Sequence, residues 1–175
     1  MTRRLVMMML VVLTSGWAVE AQNSRRVGAA LEPIQEVPAV SSDASGRFSA
    51  VINTEMEEVT YELSFEDLQG AVTQSHIHIA QPGVNGGIMV WLCKTASTAG
   101  NAPAGTPDCP SPGGTVTGVI TPSSVTAMAA PQGVAAGEFD EFIRAIRNGV
   151  AYANVHSSMF PGGEIRGQIR PGTGN

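Results

Sequence analysis

Apolar and polar positions alternate with a two-residue period along most of this chain. From Phe48 to Ile52, Phe48, Ala50 and Ile52 fall on one face of an extended segment. From Thr60 to Phe65, Tyr61, Leu63 and Phe65 alternate with Thr60, Glu62 and Ser64. Gly28–Leu31, Val72–Ile79, Ile88–Cys93, Thr115–Thr121, Val150–Val155 and Glu164–Ile169 read as further strands. Ile88–Cys93 is densely apolar and predicts a buried strand. Pro33, Pro38, the 41–46 Ser/Asp/Gly cluster and the 82–87 Pro-Gly-Val-Asn-Gly-Gly run break the pattern into turns. Asn53 to Glu58 predicts a solvated hairpin tip.

One segment changes period. Phe139, Phe142, Ile143 and Ile146 follow helical spacing, with acids at the start and Arg144 and Arg147 near the end. Asn148-Gly149 supplies the stop. This predicts one amphipathic helix covering a sheet edge or an open end, its apolar stripe being core. Many short strands and a single helix predict an all-β protein, an antiparallel β-sandwich with one short helix. A distorted barrel is the alternative, and an α/β fold finds little support because helices do not alternate with strands.

The amino terminus departs from this globular pattern. Arg3 and Arg4 precede an apolar run from Leu5 to Leu13, and Val19-Glu20-Ala21 offers a small-residue cleavage site before Gln22. The run is far short of the roughly 20 apolar residues that span a bilayer. Residues 1–21 are therefore expected to be a signal peptide, 22–27 an exposed segment, 28–170 one domain and 171–175 a tail. The mature protein is expected to be exported, periplasmic or extracellular, with no transmembrane segment. Of the 10 basic and 15 acidic side chains, the signal would remove Arg3, Arg4 and Glu20, leaving a net charge of −6. That balance argues against a nucleic-acid partner, which calls for a basic stripe.

Cys93 and Cys109 are the two cysteines, both beyond the export signal. In an oxidising compartment such a pair is expected to form a disulfide, and its spacing matches no zinc pattern. His76, His78 and His156 are the three histidines. On strands, His76 and His78 share one face, as do Tyr152, Asn154 and His156. If the two strands adjoin, three imidazoles converge.

Gln35-Glu36-Val37-Pro38, Ser75-His76-Ile77-His78, Gly83-Val84-Asn85-Gly86, Tyr152-Ala153-Asn154-Val155-His156 and Gly163-Glu164-Ile165-Arg166-Gly167-Gln168 occur in that order. Together they resemble the CHRD domain, from about Gly28 to Ile169. That module is named after chordin, an extracellular antagonist of bone morphogenetic proteins, and also occurs in bacterial exported proteins. Ile79 departs from the pattern, in which a glycine often follows His-x-His. The resemblance implies an extracellular binding or structural module, with a protein or cell-surface partner it does not name.

The histidines admit two readings. In one, imidazoles at His76, His78 and His156 form an open site for copper or, less favoured, zinc. Met159 would add a soft ligand suited to reduced copper, and Glu164 a carboxylate. In the other, the histidines anchor a polar network with Asn154, Glu164, Arg166 and Gln168, in which a Glu164–Arg166 pair pins the last strand. His-x-His on a β-sandwich is similar to copper–zinc superoxide dismutase, so the architecture is expected to be immunoglobulin-like or superoxide-dismutase-like. That enzyme's binuclear centre needs more histidines and an aspartate than this chain provides. No G-x-S-x-G or P-loop occurs, and Ser157 and Ser158 are expected to be turn residues beside His156. The expected protein is not an enzyme.

Overall fold

The computed structural model describes residues 25–172. The expected signal peptide, 1–21, lies outside them. Among the described residues, nine strands run as β1 Arg26–Leu31, β2 Ser45–Asn53, β3 Glu58–Glu66, β4 Val72–Ile79, β5 Gly87–Lys94, β6 Gly114–Ile120, β7 Ala151–Ser157, β8 Ile165–Gln168 and β9 Arg170–Pro171, and one α-helix, α1, spans Phe139–Arg147. The strands form two antiparallel sheets, ordered β6-β3-β2-β1-β9 and β5-β4-β7-β8. The sandwich is thus the observed architecture, and the sheets meet along one side where Glu32 and Arg166 exchange two backbone hydrogen bonds.

The alternating faces anticipated from sequence make the core. Phe48, Ile52, Leu63 and Phe65 from the first sheet meet Ile77, Leu92, Val155 and Ile165 from the second. Each such side chain contributes about 1.5–3 kcal/mol by leaving water. Phe139, Phe142, Ile143 and Ile146 of α1 bury into the same cluster. The helix ends where the Asn148 Nδ2 donates to Arg144 O and Gly149 takes a left-handed φ of 66°. Tyr61 ties the layers together, its hydroxyl donating to Leu92 O at 2.6 Å.

Two boundaries differ from expectation. β1 begins at Arg26, and Val27, expected in an exposed segment, is fully buried. Pro171, placed in the tail, pairs with Val27 as part of β9. Ile88–Cys93 forms the expected buried strand, Met89 to Cys93 all being buried, although it lies at the edge of its sheet. Its apolar density is explained by covering loops: Thr126 N–H donates to Met89 O, and Lys94 exchanges backbone bonds with Pro107 and Cys109.

Cys93 and Cys109 are bonded, which fastens one of these loops over β5. Lys94–Asp108 packs little apolar surface, so the bond restrains a segment that cannot hold itself. Cys93→Ala/Cys109→Ala is expected to lower stability by about 3 kcal/mol, the closure entropy of a 15-residue loop. Urea unfolding compares the two proteins, and an unchanged midpoint would show that the loop is held by its backbone bonds alone.

Candidate metal centre

Antiparallel register decides which side chains meet. β4 and β7 set His76 opposite Asn154 and His78 opposite Tyr152. β8 sets Arg166 opposite Asn154, and β5 sets Trp91 opposite His76. Since Ile77, Val155 and Ile165 fill the inner face, these polar residues occupy the outer one. That face is roofed by loops. Arg166 donates to Gln81 O and Val84 O, Asn85 Nδ2 donates to Val37 O, and His156 bonds Pro161 O. Consequently His76, His78 and His156 are all buried.

The three imidazoles do converge, offering one nitrogen each within 4.8 Å of one another. Their hydrogen bonds define where the protons sit. A carbonyl oxygen can only accept, so His78 Nδ1 carries the proton it gives Gly86 O at 2.9 Å. His156 Nδ1 likewise donates to Pro161 O at 3.0 Å. Both Nε2 atoms are then lone pairs. His156 Nε2 accepts from His76 Nδ1 at 3.1 Å, which leaves His76 Nε2 as a third lone pair. His76 Nε2 and His78 Nε2 are buried without a hydrogen-bond partner. Asn154 Oδ1 also faces His156 Nε2, at 3.2 Å, acceptor against acceptor.

Electrostatics keeps the trio neutral. Burial lowers the pKa of His76 to about 2, with repulsion from His156 and His78 adding to it. His78 falls to about 4, again chiefly by burial, against the pull of the Gly86 bond. Burial lowers His156 too. Neutral imidazoles with accessible lone pairs are the form that binds metal. Two nitrogens on one tetrahedral zinc stand about 3.3 Å apart, given Zn–N bonds of about 2.0–2.1 Å. The 3.1 Å between His76 Nδ1 and His156 Nε2 is of that size, but the His76 proton bridges it, so an ion bound there would have to displace that proton or turn the ring to offer Nε2.

The remaining candidates separate from the trio. Met159 is 60% exposed, on the turn beyond β7, and does not join the buried nitrogens. Glu164 is buried but turned elsewhere: its Oε1 accepts from Ser42 Oγ and Gln69 N–H, both at 2.7 Å. It therefore neither joins the trio nor pairs with Arg166, contrary to expectation. Lying just before β8, it anchors the loops preceding β2 and β4 instead. Gln168 donates to Ala80 O and Gly149 O, tying strand ends together. Arg166 lies over the Tyr152 ring at 3.4 Å, and that ring stacks parallel to His78 at 4.7 Å.

Two participants escaped the sequence reading. Trp91 packs edge-to-face on His76 at 4.3 Å. Glu36 is buried near Arg166 and Asn154, and desolvation raises its pKa to about 7. Its place in the Gln35–Pro38 motif was the only signal, because an acid between prolines carries no periodicity.

Fold and site together define an all-β sandwich with a loop-roofed polar sheet face centred on three neutral histidines. The CHRD domain model matches residues 27–169, and the chain belongs to that family. No curated protein and no solved structure matches it.

Proposed function

We propose that this chain is an exported, non-enzymatic CHRD binding module that holds one late transition-metal ion at His76, His78 and His156. The carrying observation is the pair of backbone carbonyls, Gly86 O and Pro161 O, that hold the Nδ1 protons of His78 and His156. Metal-binding histidines are oriented by such bonds, which aim the opposite nitrogen at the ion. All-nitrogen borderline donors suit copper(II) first and zinc second, following the general order of divalent affinities. The exposed position of Met159 removes the soft ligand that would favour reduced copper.

A second reading rests on the His76–His156 hydrogen bond, which links the two strands without any ion. Calorimetric titration with Cu(II), Zn(II) and, under exclusion of oxygen, Cu(I) separates the two. One equivalent of Cu(II) or Zn(II) is expected to bind, and His76→Ala/His156→Ala to weaken it on the order of a hundredfold or more. Absence of binding, or binding indifferent to the double substitution, would leave the histidines as a polar network.

A further inference from the structure

A divalent ion among three neutral imidazoles brings two uncompensated charges into a buried site, and Arg166 nearby adds a third. Such a charge is costly without an anion. Glu164 and Glu36 each keep one buried oxygen without a partner, but Glu164 is held toward Ser42 and Gln69 by its Oε1, whereas Glu36 is the buried acid that Arg166 attracts. Glu36 is 5% exposed, and its Oε1 has no hydrogen-bond partner. The Glu36 carboxyl packs against Gly163, two residues beyond the Pro161 carbonyl that holds His156, and the carbonyl of its neighbour Val37 accepts from Asn85, whose Oδ1 accepts from Arg166. Arg166 and Tyr152 are the other charged or titratable groups acting on Glu36. The fold makes room for this acid: a Cβ on Gly163 would sit 2.3 Å from Glu36 Oε1.

We infer that Glu36 is the counter-charge of the centre, its carboxylate stabilising a divalent cation held by the histidines. This rests on the metal reading above. In the empty site burial outweighs the attraction of Arg166 and raises the carboxyl to about 7, so near pH 7 about half of it holds a proton. Cation uptake then favours the carboxylate, so the proton leaves Glu36 for solvent.

Charge dependence is the test. Glu36→Gln keeps the shape of the side chain and removes its charge. It is expected to weaken Zn(II) binding roughly tenfold to a hundredfold, the scale of second-layer substitutions, and Ag(I) by a much smaller factor because the Coulomb energy scales with ionic charge. Calorimetry at pH 7 in buffers of different protonation heat should also find fewer protons released per Zn(II) in the variant. A purely structural Glu36 would weaken both ions alike and leave the proton count unchanged, which overturns the inference. If the variant does not fold, the wild-type protein decides: its proton release should fall as pH rises from 6 to 8.5, across the Glu36 pKa of about 7. A constant or rising release overturns the inference too. Failure of the metal reading is a different result, with wild-type protein taking up no Zn(II) or Cu(II) at all.

Discussion

Arg166→Met is expected to lower unfolding stability by about 3–5 kcal/mol, the scale for removing one member of a buried charged network. Burying a guanidinium is itself costly, so its presence is no proof of net stabilisation. What the substitution leaves behind decides the sign. Asn85 Oδ1, Val84 O and Gln81 O lose their donor. Tyr152 loses the cation over its ring, and Glu36 loses the positive charge that opposes its desolvation. Methionine fills similar volume, so cavity formation contributes little. Urea denaturation measures the loss, and the double variant with Glu36→Gln should lose less than the sum of the two. Additive losses would mean that the two residues do not interact.

Gly86→Ala is expected to cost about 3 kcal/mol and to weaken metal binding tenfold or more. A Cβ there would lie 1.8 Å from Ile79 O and 2.7 Å from Ile79 C, both backbone atoms of β4 that cannot swing aside. The turn must retreat. Gly86 O is also the acceptor that holds His78 Nδ1, so retreat releases the ring that the proposed ion would need. Thermal unfolding gives the first effect and Zn(II) titration of the folded variant the second. Full Zn(II) affinity in a destabilised variant would show that the Gly86 bond does not orient His78.

Short-range pattern exposed much of this molecule. The periodicity of Tyr61, Leu63 and Phe65, and the helical spacing of Phe139, Phe142, Ile143 and Ile146, are local consequences of which face is buried. The paired faces of His76 with His78 and Asn154 with His156 follow from the same rule. The buried strand read from Ile88–Cys93 is also found, its sheet edge covered by loops and the disulfide-closed segment, which the pattern did not reveal. Pattern misled at the first strand. Val27 looked exposed because Arg25 and Arg26 precede it, although its own side chain faces the core.

Residue order thus settled the fold class and the faces of the strands, and with them that three histidines meet if their strands pair, since each depends on alternation within a strand. Long-range packing settled what those histidines are. It turned Glu164 away to Ser42 and Gln69, left Met159 on the surface, and brought Glu36 beneath the roof from across the sandwich. It also set the carbonyls of Gly86 and Pro161 against two ring nitrogens, which fixes the protons and frees the lone pairs. The physical reason is the range of each interaction. Strand periodicity is written over two or three residues, whereas desolvation and hydrogen-bond partners depend on loops that only the folded chain brings together.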